Sequence, residues 1–242
     1  MIEIIKKEFN SFLSSLIAYI VISVFLTGIG LFMWVFPETS ILNYGYADME
    51  ALFSFGPYVL MFLIPAITMR SFSEEYKSGT IEWLLTKPLT DWNIILGKYA
   101  AGLLLVVFAL IPTGVYYYSV YQLGNPVGNI DSPAVIGSYI GLLLLSAVFT
   151  SVGICASAMT RNQITSFVVA VFLSFILYSG LSSLAAINVW AEFSVFIEKI
   201  GIVYHYNALS RGLIDTRNVF YLLSLSTFML LVTKLIIGSR KW

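Results

Sequence analysis

Long uncharged stretches alternate with short polar segments along this chain of 242 residues. Crossing the hydrocarbon core of a bilayer takes roughly 20 helical residues, and five stretches of about that length or more contain no Asp, Glu, Lys or Arg. A sixth contains only Lys234, near one end, where a long side chain can reach the headgroups. The pattern predicts an all-α integral membrane protein with six transmembrane helices in one domain, 1–242. The predicted spans are about 15–36, 51–69, 98–121, 133–159, 163–186 and 218–237.

The first residues have a different periodicity from the spans. Over residues 3–15 the apolar side chains recur at helical spacing on one face, while Lys6, Lys7 and Asn10 fall largely elsewhere. This spacing is typical of an amphipathic helix at a membrane surface, leading into the first span as an elbow. A charged, irregular start of the first span is the alternative.

The segment 187–217 is rich in aromatic and branched residues yet carries several charges. It is too polar to span a membrane and too apolar to lie free in water. We expect a short amphipathic helix, or a re-entrant pair, packed against the ends of the spans.

Composition and charge agree with this picture and add an orientation. Hydrophobic residues make up 59% of the chain and charged residues 11%, against about 45–50% and 25% in soluble domains. If the N-terminus is cytoplasmic, ten of the thirteen Lys and Arg residues lie on the cytoplasmic side, which the positive-inside rule favours. Both termini are then cytoplasmic. The net charge of zero gives no reason to expect a nucleic-acid partner.

The polar segment 70–98 is predicted to form short helices rather than a flexible linker. Ser71 and Glu74 have the spacing of a capping box for a helix over 72–77, which Gly79 then interrupts. Thr80 can cap a second helix over 81–86, with Glu82 in its first turn. Pro88 ends that helix, and the sequence Thr90-Asp91 is suited to cap the third span.

The second of these short helices carries a small apolar knob next to Glu82, formed by Trp83, Leu84 and Leu85. Exposed clusters of this kind mark contact with a protein or with the membrane. From the pattern alone, both interpretations stand: a docking surface for a partner, or an interfacial helix under the headgroups.

Two motifs resemble one known family of membrane proteins. The run Glu74-Glu75, Gly79-Thr80-Ile81-Glu82, Leu84-Leu85-Thr86 and Pro88, closing on Gly97-Lys98, is similar to the cytoplasmic signature of type-two ABC-transporter permeases. The run His205-Tyr206-Asn207, followed by Ser210-Arg211-Gly212-Leu213-Ile214-Asp215, resembles the last outer loop of that family. Within the family, the order and brevity of the loops most resemble the gliding-motility-associated permease subunits of Bacteroidota.

The resemblance implies a mechanism and a set of partners. The helix around 79–85 would be a coupling helix seated in a cytoplasmic ABC ATPase, with Trp83 and Leu84 in the buried contact. Glu74, Glu75 and Glu82 would pair with basic groups of the ATPase or with the elbow. ATP and magnesium would bind to the ATPase, with no cofactor on this chain. A second permease copy or a related subunit would complete the complex, in the bacterial cytoplasmic (inner) membrane.

The residues give no sign of an enzyme. A phosphate loop of the form G-x-x-x-x-G-K-[ST] is absent, because Tyr99 follows Gly97-Lys98 and Trp92 stands where the first glycine belongs. The five uncharged stretches contain no histidine, and His205 is the only one in the chain, so we assign it a structural role. We therefore expect ATP hydrolysis to take place on a partner subunit. We expect no catalytic or metal-binding residues on this chain.

Two functions remain open at this stage. One is a permease half-transporter, linked to gliding motility or export. The other is a structural membrane anchor of a motility or secretion machine that moves no solute, since charged cargo would be expected to leave polar residues along its path.

Overall fold

A computed structural model describes residues 1–81, 90–185 and 194–239, and these ranges are helical with no strand. Within these ranges, six helices are long and apolar enough to cross a membrane, which confirms the predicted fold class. The six spans, in chain order, are Leu16–Trp34, Glu50–Ser78, Asp91–Leu123, Ser132–Met159, Gln163–Ala185 and Thr216–Ser239.

Most span bounds lie within two residues of the prediction; the end of the second span, at Ser78 instead of 69, and the start of the third are the exceptions. The third span differs at its start. It begins at Asp91, well before the predicted start at 98, so that Lys98 lies two turns inside the helix. The side chain of Thr90 accepts a hydrogen bond from the backbone N–H of Asn93, which confirms the predicted cap. The helix passes through a 3-10 turn at Ile111–Thr113, which contains Pro112, and continues as Gly114–Leu123.

The elbow is a separate helix, Ile2–Leu13, as the amphipathic pattern predicts. Ile4 and Phe12 on its apolar face are buried, and it packs against the third span. Close approach is possible because Gly97 has no side chain: a Cβ there would lie 3.1 Å from Ile4. Ser15 caps the first span through the N–H of Ile17. The irregular-start alternative is thus excluded.

The second span has two parts. Its long helix, Glu50–Thr68, contains Pro57 and Pro65, and a short helix follows over Ser73–Ser78. The fifth span also changes geometry along its length, from the α-helix Gln163–Phe175 through a π-helical turn to Leu181–Ala185. We call the end of the bundle that carries the elbow and Ser73–Ser78 the elbow end.

The fourth span is the centre of the bundle. About four-fifths of its most apolar stretch is buried, 83% against 22% for the first span, because the second, third, fifth and sixth spans pack around it. Gly153 makes room for the second span: a Cβ there would lie 2.1 Å from the Thr68 hydroxyl oxygen. Small residues therefore let helix backbones approach closely, as is common in membranes.

The opposite end carries the other short helices, Ile41–Tyr44, Ser194–Ile200 and Ile202–Leu209. The last two fall in the segment for which the sequence predicts short helices packed on the ends of the spans. Ile202, Tyr206 and Leu209 are buried against the bundle, which confirms that prediction for the described part of the segment.

Candidate functional site

Four charged side chains form a compact group at the elbow end, which we call the charged cluster: Lys7, Glu8, Glu75 and Lys98. The Lys98 ammonium donates to the carboxylates of Glu8 at 2.8 Å and Glu75 at 3.0 Å, and also to the backbone oxygen of Ser71. Lys7 donates to Glu75 at 3.3 Å and lies 3.8 Å from Glu8. The cluster joins the elbow, the short helix after the second span and the third span.

Lys98 is the buried member of the cluster, since only 1% of its side chain is exposed. A buried ammonium is strongly destabilising unless it is paired and hydrogen-bonded, and here all three of its N–H donors have an oxygen acceptor. The ring of Phe72 adds a cation–π contact at 5.0 Å. The described residues therefore supply an acceptor for each N–H donor of Lys98 and two carboxylates to balance its charge.

The short helix Ser73–Ser78 is capped from another span. The hydroxyl of Ser157, on the fourth span, accepts from the backbone N–H groups of Phe72 at 2.9 Å and Ser73 at 3.1 Å. It also donates to the backbone oxygen of Met69. The predicted capping box of Ser71 and Glu74 is wrong, because the helix begins two residues after Ser71 and has no side-chain cap of its own. Ser157 supplies the acceptor that the capping box would have supplied.

The residues predicted to couple to an ATPase differ in their surroundings. Glu75 is buried and pairs with the elbow, which is one of the two partners that the resemblance left open. Glu74 is exposed, as are Gly79 and Thr80. Gly79 ends the short helix with a φ of +72°, a conformation that favours glycine. The other predicted coupling residues, Glu82, Trp83, Leu84 and Leu85, lie outside the described residues.

Thr80 and Ile81 already have helical backbone, so Thr80 lies inside the start of the second short helix and does not precede it as a cap. Its hydroxyl instead pairs with that of Ser78 at 2.9 Å, across Gly79. Ile81 is buried among apolar residues at the elbow end. The segment that enters the undescribed stretch 82–89 is thus fixed to the bundle at its start.

A polar cavity of about 280 Å³ lies beside the charged cluster, between the elbow and the second and third spans. Arg70 lines it and donates from Nη1 to the Ser15 hydroxyl at 3.2 Å. This bond links the second span to the junction between the elbow and the first span. The Arg70 Nε and one oxygen of Glu75 are buried without a hydrogen-bond partner among the described residues. The cavity is large enough for water to serve both atoms.

The opposite end contains the second sequence motif, and His205 is its centre. One ring nitrogen bonds to the side-chain oxygen of Asn218 at 2.7 Å, and the other to the backbone oxygen of Lys199 at 3.0 Å. The ring stacks on Tyr221, with centroids 3.9 Å apart. His205 thus links the short helix Ile202–Leu209 to the sixth span.

Gly212 brings the backbone of the motif into close contact with Ala134 on the fourth span. Its φ of +78° favours glycine, and a Cβ there would lie 2.5 Å from the Cα of Ala134, on the fourth span. Asp215 accepts a hydrogen bond from the N–H of Arg217 at the start of the sixth span. Arg211 is exposed beside an open cavity. These residues shape a turn and its contact with the fourth span.

Tyr206 supplies a hydrogen bond that the backbone of the second span lacks. Pro57 has no N–H, so the backbone oxygen of Phe53, four residues earlier, lacks its usual helical donor. The Tyr206 hydroxyl donates to that oxygen at 2.7 Å. Burial raises the pKa of Tyr206 well above its usual value, and neighbouring Tyr178 adds to the shift, so the hydroxyl remains a donor.

Sequence reasoning missed three of these roles. The sequence shows Lys98 only as part of a motif, although a lysine next to a glycine seven residues into a capped helix is a sign of a buried partner. No local pattern in the sequence indicates that Ser157 caps a helix that follows another span. No local signal links Tyr206 to Pro57, because 153 residues separate Tyr206 from Phe53.

Comparison with known proteins finds a family that covers nearly the full length of the chain. A family model described as ABC-2 family transporter protein matches residues 2–237. No curated protein matches the chain. Within the described residues, no group of three or more His, Cys, Asp or Glu side chains is arranged to hold a metal ion.

Proposed function

Since the chain belongs to the ABC-2 transporter family, we propose that it is the permease subunit of an ABC transporter, driven by a separate cytoplasmic ATPase. The elbow end would face the cytoplasm, in the inner membrane of a bacterium, because most of the basic residues lie there. ATP and magnesium would bind to the ATPase. A second copy of this chain, or a related membrane subunit, would complete the transmembrane part.

The charged cluster is the observation that carries this proposal. It binds the short helix Ser73–Ser78 to both the elbow and the third span, directly before the segment proposed to contact the ATPase. Ser157 binds the same helix to the central fourth span. A displacement of segment 79–85 by the ATPase would therefore be transmitted to the elbow, the third span and the fourth span. It would pass through buried contacts rather than through a flexible loop.

Export or gliding motility is the process that we propose for the complex, on the resemblance of its loops. Charged cargo is disfavoured, because the charged groups of the described spans lie near their ends. The same observation favours a second candidate, a membrane anchor that uses ATP-driven motion for assembly or mechanical work and moves no solute. Transport by the full complex in sealed vesicles separates the two: uptake or release of a neutral or lipid-like solute supports the first.

Co-purification with an ATPase tests the permease assignment. The chain would be co-expressed with each ABC ATPase found in the neighbouring reading frames, purified by a tag on the permease, and assayed for ATP hydrolysis. We expect the ATPase to co-purify, and the permease alone to hydrolyse no ATP. Failure of every neighbouring ATPase to co-purify would contradict the proposal.

A proline substitution tests the position of the coupling segment. Gly79→Pro cannot keep a φ of +72°, so we expect it to abolish the stimulation of ATP hydrolysis by the permease. Gly45→Pro is the matched control, since Gly45 has a φ of +74° and also ends a short helix, but at the opposite end. Equal loss in both variants would show that the effect is not specific to the proposed coupling segment. Trp83→Ala should also weaken stimulation if Trp83 lies in the contact.

A further inference from the structure

An apolar groove runs along the outer face of the sixth span at the elbow end. It has a volume of about 740 Å³, within the range of small-molecule sites in proteins. Phe228, Leu231 and Leu235 line it and are largely exposed, because the buried face of this helix, with Thr233 and Ile237, points to the bundle core. A chain-like apolar molecule lying parallel to the helix would fit this shape.

Lys234 lies at the polar end of the groove and is half-buried. Its ammonium stands over the ring of Trp92, 5.1 Å from the ring centroid. Within the described residues, no carboxylate lies at ion-pair distance and no oxygen accepts a hydrogen bond from it. A cation–π contact leaves the three N–H donors of an ammonium without acceptors. Lys234 therefore differs from Lys98, whose donors are all paired.

The depth of Lys234 agrees with a headgroup partner. It lies five residues before the end of the helix at Ser239, or about 7.5 Å along the axis. Trp92 is the second residue of the third span, and tryptophan is enriched at the level where the headgroups meet the hydrocarbon core. The sequence continues with two further basic residues, Arg240 and Lys241.

We propose that the groove binds a phospholipid of the surrounding bilayer, with one acyl chain along Phe228, Leu231 and Leu235 and the phosphate on Lys234. The phosphate supplies the acceptors that Lys234 lacks, and the apolar wall covers the chain. Because Lys234 stands over Trp92, the lipid would bind where the sixth span meets the start of the third.

Lipid binding to the full chain, purified in detergent and depleted of lipid, tests this site. Phosphatidylglycerol would be titrated and the bound lipid counted by native mass spectrometry, beside a diacylglycerol with the same chains and no phosphate. We expect Lys234→Ala to weaken phosphatidylglycerol binding about fivefold and to leave diacylglycerol binding unchanged. Lys234→Arg keeps the charge and should retain most of the affinity. Lys77→Ala is the control, because Lys77 is exposed at the same end but away from the groove.

A second pair of variants tests the groove separately from the charge. Gly238 lines the groove, and a Cβ added there would meet none of the described atoms within 4 Å, so the longer side chain of Gly238→Leu should take up groove space and weaken the binding of both lipids. Gly28→Leu adds the same side chain at an equally open position on the first span and should weaken neither. Unchanged binding in Lys234→Ala and Gly238→Leu, or equal losses in their controls, would overturn the proposal.

Discussion

The two ends of the bundle fasten their short helices in different ways. At the elbow end, charged side chains add to the hydrogen bonds of Ser157: Lys98, Glu75 and Glu8 meet in a largely buried group that holds three elements together. At the opposite end, neutral hydrogen bonds and close backbone packing fasten the short helices, through Tyr206 and Gly212. Buried ion pairs are sensitive to the loss of either partner, whereas close packing is sensitive to added volume. The two ends should therefore respond to different mutations.

Loss of the buried lysine should be the most damaging change. Lys98→Met leaves Glu75 buried with only the exposed Lys7 as partner, and we expect a loss of about 3–5 kcal/mol of stability. Thermal unfolding of the purified protein in detergent measures it. Lys98→Met combined with Glu75→Gln and Glu8→Gln should recover part of the loss, because no carboxylate of the cluster then remains. If Lys98→Met alone is as stable as the natural protein, the charged cluster does not contribute to stability as proposed.

Added volume should be the most damaging change at the opposite end. Gly212→Ala places a Cβ 2.5 Å from Ala134 and forces alanine into a positive φ, for an expected cost of about 2–4 kcal/mol. Gly45→Ala has the same backbone strain, with a φ of +74°, but no atom within 4 Å of the new Cβ. The difference between the two melting temperatures measures the packing contribution alone. Equal shifts would mean that the contact with the fourth span adds nothing.

Removal of one hydroxyl should have a smaller effect at the same end. Tyr206→Phe leaves the buried oxygen of Phe53 without a donor, at an expected cost of about 1–3 kcal/mol. Pro57→Ala restores the helical N–H, so the same Tyr206→Phe change should cost less in that background. A double-mutant cycle by thermal unfolding gives the coupling between the two positions. Zero coupling would show that Tyr206 does not compensate for Pro57.

The smallest effect is expected for the exposed member of the charged cluster. The side chain of Lys7 is 64% exposed, so Lys7→Ala should cost about 0.2–1 kcal/mol. Added salt should reduce this difference further, because solvent screens exposed pairs. A loss as large as that of Lys98→Met, measured by the same unfolding assay, would mean that burial does not decide the contribution of a lysine here.

The sequence predicts the spans well because each must be long and apolar to cross a bilayer. It misplaces the start of the third span, since a search for uncharged stretches stops at Lys98. That lysine is inside the helix because Glu8 and Glu75, from two distant parts of the chain, neutralise it. The wrong capping box has the same origin: the acceptor comes from Ser157, 85 residues away from Phe72. Partners that meet only in the folded bundle leave no local pattern.

The hydrogen bond between Tyr206 and Phe53 also has a meaning for biosynthesis. Its two residues are 153 positions apart, which corresponds to about 8–30 s of translation. Throughout that interval the second span exists without the hydroxyl that completes its hydrogen bonding. Phe53 lies in the first turn of its helix, near the membrane surface. Water can therefore donate a hydrogen bond to its backbone oxygen until Tyr206 is present. The position of Pro57, two turns from the helix start, thus lets the nascent span enter the membrane before the residue that completes it has been made.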